Sequence, residues 1–155
     1  MLTIDECIQQ LKENAETIDS SAPEIINDPV ADDVIRQGDL YFVCLEETPE
    51  GKVTKQRQLV PGNTQGSRHV LEGNVEIRTV SSYTMSDRLF KRAQALGYKG
   101  EQTLPSELTG PAFRVTEGQG TAGHPEHGDK IYPEGSDWQC VYQQSWGDQV
   151  RRVQD

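Results

Sequence analysis

The chain has 155 residues and no apolar run of the roughly 18 residues that a membrane-crossing helix needs. Its hydrophobic fraction is only 34% and its mean hydropathy is −0.70. A modest core under a large polar surface is expected from that. Cysteine is scarce: Cys7, Cys44 and Cys140 are odd in number and lack metal-type pairing. Reduced thiols in a cytoplasm are the simplest reading. The opening Met1-Leu2-Thr3-Ile4-Asp5-Glu6 is acidic and lacks the basic start and apolar centre of a secretory signal. No Gly-x-Ser-x-Gly elbow, phosphate-binding loop or dinucleotide fingerprint occurs. Gly118-Gln119-Gly120 lacks the third glycine and opens no helix.

Basic residues are nearly missing from the first 35 positions, which hold nine acids and one base, Lys12. The formal net charge is −10, and most of it lies in this segment. An acidic chain repels phosphate backbones, which disfavours nucleic acid as a partner. The acidic segment is either a solvated arm or an arm that docks on a basic surface.

Within that arm, residues 3–18 read as a helix. Ile4, Ile8, Leu11, Ala15 and Ile18 fall at steps of four and three along one face. Thr3 and Glu6 have capping-box spacing. The stripe is narrow, so the helix must lie on its own domain or on a partner. Residues 19–35 read as a linker, with breaker chemistry at Ser20-Ser21-Ala22-Pro23 and Asn27-Asp28-Pro29.

From Arg36 to Asp155 the chain reads as a β-rich domain. Leu40 to Leu45 is a strand apolar enough for burial on both faces, and Lys52 to Val60 is expected to return beside it as a hairpin. Further strands are expected at Arg68–Leu71, Val75–Val80, Gly110–Glu117 and Trp138–Trp146. Residues 81–110 break the β rhythm and read as a helical insertion, with Ser86 as N-cap, Leu89, Phe90, Ala93 and Leu96 on one face, and Gly97 as the stop. The expected fold is mainly β: a small sandwich or open barrel of roughly six to eight strands, with an N-terminal helix and the short helical insertion.

The three histidines of the chain all sit in glycine-flanked segments: His69 in one, His124 and His127 in Gly123-His124-Pro125-Glu126-His127-Gly128-Asp129. Three imidazoles with an open fourth position form the ligand set of a catalytic zinc site and also suit other divalent transition metals. Glu126, Asp129 and Glu72 stand close enough in sequence to ligate, to orient a histidine or to act as a base. The alternative is that these are loop residues making ordinary hydrogen bonds. Cys44 and Cys140, inside apolar strands, read as inert packing.

Arg36-Gln37-Gly38-Asp39, the segment Gly66 to His69, His-x-Glu-His leading to Tyr-Pro-Glu-Gly and a Gln-rich aromatic strand, and the ending Val150-Arg151-Arg152-Val153 together resemble a group of small uncharacterised bacterial and phage proteins. The resemblance covers residues 36–80 and 111–155. Relatives often carry two histidines in the first segment; here Ser67 stands at the first position and His69 matches the second. The resemblance implies a β domain and draws attention to His69, His124 and His127.

Two functions follow as expectations. The first is a non-enzymatic accessory protein that docks on a larger partner or self-assembles, one version being a phage structural or decoration protein in the bacterial cytoplasm or the virion. The second is a cupin-like protein, or a metal-dependent hydrolase, that binds a metal such as zinc through its histidines.

Overall fold

A computed structural model describes Ile4 and residues 22–60, 69–124 and 127–142. The helix expected over residues 3–18, its face residues Ile8, Leu11, Ala15 and Ile18, and Glu126 lie outside the described residues. Ile4 is described: it is 2% exposed and joins the hydrophobic core.

The fold is mainly β. Ten strands are described: β1 (Glu24–Ile25), β2 (Val34–Gln37), β3 (Leu40–Leu45), β4 (Lys52–Thr54), β5 (Val70–Thr79), β6 (Tyr83–Thr84), β7 (Thr103–Leu104), β8 (Thr109–Gly123), β9 (Lys130–Pro133) and β10 (Asp137–Tyr142). Eight of them form one sheet that curls into a half-barrel. β8 is its spine. One flank of β8 pairs with β5 along almost its whole length. The other flank pairs first with β10, at Thr109–Arg114, and then with β9, at Gln119–Ala122. β3 and β2 continue outward from β10, β1 adds parallel to β9, and β4 lies outside β5.

The expected hairpin of β3 with the segment after it does not form. β3 is held between β10 and β2, and β4 crosses to pair with β5 instead. The reason is burial. Leu40 to Cys44 are all buried, so β3 needs the most apolar neighbour, and Trp138-Gln139-Cys140-Val141-Tyr142 supplies it. Lys52 and Val53 are exposed and suit an edge. The segment read as a linker contributes β1 and β2 to the sheet.

Curvature has a local cause. The β5–β8 register slips on either side of Asn74, and extra residues in one strand bend it and raise its twist. Gly73 sits at this point with φ +93°, and a side chain there would overlap the carbonyl oxygen of Gln119. Only glycine fits without strain.

Inside the curl lies an aromatic cluster. Phe42 and Phe113 meet edge to face at 6.0 Å, Tyr132 lies 5.4 Å from Phe42 and 5.5 Å from Phe113, and Trp138 packs at 4.6 Å against Tyr132 with the planes tilted by 50°. Such pairs contribute about 0.5–1.5 kcal/mol each beyond their buried area. The Trp138 indole N–H donates to Ser136 Oγ at 2.8 Å, so its polar end is satisfied.

Between β5 and β8 the chain forms the two-stranded ribbon β6–β7, a helix α1 (Asp87–Ala95) and a 3-10 turn (Ser106–Leu108). Ser86 Oγ caps α1 by accepting the Leu89 N–H at 3.0 Å. The same hydroxyl donates to Asp32 Oδ1 at 2.9 Å, and Arg88 Nε lies 3.1 Å from Asp32 Oδ2. The helix start is thereby tied to the turn before β2. Leu89 and Ala93, one turn apart, enter the core.

Candidate functional site: a buried histidine row

The curl of the sheet brings all three histidines together. His69 precedes β5, His124 follows β8, and Val70 pairs with Gly123, so the two rings leave neighbouring strands at the same level. Their centroids are 4.5 Å apart. The turn after His124 folds His127 back onto it at 4.4 Å. The rings form a row of tilted neighbours, from fully buried His69 to partly exposed His127.

His69 is 0% exposed, and both of its nitrogens are engaged. Nδ1 lies 2.8 Å from Gln37 Oε1 and Nε2 lies 2.9 Å from Asp39 Oδ1. The partners come from the end of β2 and from the turn after it, where Gly38 has φ 59°. Gln37, also 0% exposed, donates its amide nitrogen to two backbone carbonyls, Ala122 at 2.8 Å and Gly128 at 2.7 Å. One side chain therefore joins β2 to the end of β8 and to the histidine turn.

These contacts fix the protons. Two carbonyl oxygens require the –NH2 end of Gln37, so Oε1 must face His69 and accept its Nδ1–H. The opposite nitrogen then meets a carboxyl oxygen, and two acceptors cannot share a hydrogen bond without a proton between them. The Asp39–His69 contact is either an imidazolium–carboxylate pair or a carboxylic acid donating to a neutral ring. Asp39 is 2% exposed, and its Oδ2 has no hydrogen-bond partner among the described residues. In the next ring, His124 Nδ1 accepts the His127 backbone N–H at 3.2 Å, which puts the proton of a neutral His124 on Nε2.

A metal ion needs free nitrogen lone pairs converging on one point. Here the rings lie tilted against one another, with 47° and 39° between successive planes, both His69 nitrogens are bonded within the protein, and the His124 Nδ1 lone pair faces an N–H. Among the described residues no set of three His, Cys, Asp or Glu side chains is arranged to hold an ion. Asp129, at the start of the approach to β9, is half-buried, and its backbone carbonyl accepts the Glu24 N–H. Next to it, Lys130 is 1% exposed and pairs with Glu24 at 2.9 Å, pinning β1 to β9. Glu72 is exposed on β5.

Gln37 and Asp39 belong to the Arg36-Gln37-Gly38-Asp39 motif, but their residue types alone carry no sign of a role beside the histidines. Their signal was a pair of polar residues flanking a glycine directly before the most apolar strand, which reads equally well as turn chemistry. The two described thiols take no part. Burial pushes Cys44 up to about 12, helped by Asp33, Asp137 and Asp32, and burial pushes Cys140 higher still. Neither yields a thiolate at neutral pH.

On another part of the sheet a cavity of about 440 Å3 opens between β4, β5 and the start of β8. Leu59, Val80, Pro111 and Tyr142 form its apolar part; Thr54, Gln56, Gln58, Thr79 and Thr109 supply neutral polar groups. The Tyr142 hydroxyl donates to the Leu59 carbonyl at 2.7 Å. No His, Cys, Asp, Glu, Lys or Arg is among the described residues that line it. No helix among the described residues is long and apolar enough to cross a membrane. No protein-family model, curated protein or solved structure matches this chain.

Proposed function

We propose that the protein is a non-enzymatic binding protein that docks on a larger partner and receives an uncharged, partly apolar group of that partner in the cavity between β4, β5 and β8. The observation that carries this reading is the cavity's lining. It combines apolar side chains with hydroxyls and amides and offers no acid, base or nucleophile of catalytic type. In the histidine row, away from this cavity, Gln37 and Asp39 bind His69 on both sides and tie three segments together. That arrangement suits an architectural role. The resemblance to bacterial and phage proteins gives the setting of this reading, a bacterial cytoplasm or a phage particle.

The test is selection of displayed 12-residue peptides on the immobilised protein, run beside Thr79→Arg. Thr79 is exposed at the cavity wall, so arginine obstructs the cavity while sparing the core. Enriched peptides should bind the parent at least roughly tenfold more tightly than the variant, a difference of about 1.4 kcal/mol. Enrichment that is equal on both proteins, or absent, would sink the reading.

A further inference from the structure

The hydroxyls of the cavity between β4, β5 and β8 have a common polarity. Thr79, Thr109 and Tyr142 all stand in its wall. Each lies against a backbone carbonyl: Thr109 Oγ1 donates to Pro105 at 3.0 Å, Tyr142 Oη to Leu59 at 2.7 Å and Thr79 Oγ1 to Lys52 at 3.3 Å. A carbonyl only accepts, and a hydroxyl has one proton to give. All three protons are therefore spent within the protein. The amide nitrogen of Gln58, in the same wall, is turned to the Val60 carbonyl at 2.9 Å.

Thr109 opens β8 and is only 8% exposed. Its proton closes the 3-10 turn before it, and its oxygen accepts from no described residue. What Thr109 offers the cavity is thus a buried acceptor among the apolar groups of Leu59, Val80 and Pro111. At Gln56, which is exposed, the polarity reverses. Gln56 Oε1 is taken by the Gln58 N–H at 3.2 Å, and Thr54 Oγ1 accepts the Gln56 N–H at 3.1 Å. The –NH2 of Gln56 and the O–H of Thr54 are left as donors.

We propose that the group this cavity receives is the indole of a tryptophan side chain on the partner protein. The inference rests on the binding reading above and names the chemistry of its ligand. An indole has one N–H donor, no acceptor and a broad apolar surface, which matches a buried acceptor set among apolar walls. A phenylalanine ring has no proton for Thr109 and would cover its oxygen unpaired. A phenol or a carboxamide brings an acceptor oxygen that meets no donor beside Thr109, Tyr142 or Thr79. An ammonium or guanidinium group finds no carboxylate among the described lining residues. A volume of about 440 Å3 is ample for a bicyclic ring. The tryptophan's own backbone carbonyl then stays at the exposed end, where Gln56 and Thr54 can donate to it. Tryptophan is also the side chain that most often anchors a protein interface.

The experiment titrates the whole chain with the peptide acetyl-Gly-Trp-Gly-amide and follows the backbone amide signals of Leu59, Thr109 and Gly110 by NMR. A second peptide carries benzothiophene in place of indole, which keeps the shape and removes the N–H. Free indole is the third probe. The tryptophan peptide should shift the three signals saturably and bind at least roughly fivefold more tightly than the benzothiophene form, the worth of one hydrogen bond. Free indole should bind no more tightly than the peptide. Thr109→Ser, which keeps the hydroxyl, should keep the preference. Thr109→Val should lose it while the benzothiophene form binds as before. If Thr109→Val does not fold, the two peptides on the parent protein decide. Equal binding of both peptides by the parent, each blocked by Thr79→Arg, would overturn the indole inference and leave the cavity reading standing. Tighter binding of free indole than of the peptide would overturn a partner's side chain as the occupant. A tryptophan peptide that does not bind, or that Thr79→Arg does not weaken, also overturns the inference. The cavity reading falls with it only if the displayed peptides fail against Thr79→Arg as well.

Discussion

Gln37 is the residue whose removal tests the architecture of the histidine row most directly. Gln37→Met keeps the length and much of the volume of the side chain but deletes every polar atom. The structure says what is stranded: the Ala122 carbonyl, the Gly128 carbonyl and the His69 Nδ1–H, all in a region closed to solvent. A buried polar group left without a partner costs about 1–3 kcal/mol. Three of them sum to more than a single change usually takes, and partial relaxation of the turn around Gly128 lowers the total. The expected loss is about 3–5 kcal/mol, at the upper end for single substitutions. For a domain of this size that corresponds to a fall in Tm of about 6–20 °C, at about 2–4 °C per kcal/mol. The assay is urea unfolding by circular dichroism, with Gln119→Met as a control. Gln119 is an exposed glutamine of β8, and its substitution should stay within about 0.5 kcal/mol of the parent. Gln37→Glu adds a second arm. A carboxylate would face two carbonyl oxygens, and protonating it returns one donor. Its penalty should therefore be larger at pH 8 than at pH 5. A Gln37→Met protein that loses less than about 1 kcal/mol would refute the view that this amide joins β2, β8 and the histidine turn.

Three further outcomes follow from the same geometry. Asp39→Asn should be tolerated within about 1 kcal/mol, because its amide can donate to the Nε2 of a neutral His69, whereas Asp39→Ala should cost about 1–3 kcal/mol; equal losses in urea melts would show that no proton lies in that contact. Gly73→Ala should lose about 2 kcal/mol or more from positive φ and collision with the Gln119 carbonyl, while Gly118→Asn should cost well under about 1 kcal/mol. Gly118 has φ 65° and open space around it, so similar losses at the two sites would contradict the bulge argument. In a Cys7→Ser background, Cys44 and Cys140 should resist a thiol reagent at pH 8 until the protein is unfolded. Because folding raises the Cys44 thiol from 9.0 to about 12, its contribution to stability is complete below pH 9 and is lost as pH climbs toward 12. Rapid labelling of the native protein would contradict that burial.

Sequence periodicity made the β character and the capped helix in the 81–110 segment legible, because each is a local property. Ser86, Leu89 and Ala93 stand in their roles through three- and four-residue spacing alone. Strand pairing was not legible. The β3–β4 hairpin was the nearest solution in sequence, but burial decides between solutions, and β3 found its apolar partner in β10, about a hundred residues away. The histidine row shows the same division more sharply. Glycine flanks marked His69, His124 and His127 as special, and the fold does bring them together. What a histidine does depends on which groups reach its nitrogens. For His69 those groups are 32 and 30 residues upstream, on Gln37 and Asp39. A metal ligand and a buried structural ring demand the same things of the local sequence: a turn, an inward side chain and little bulk nearby. Only the long-range partners separate them. In this chain the partner that decides is a glutamine, a residue with no chemistry of its own, whose two donors are committed to Ala122 and Gly128 and whose oxygen is thereby left for His69.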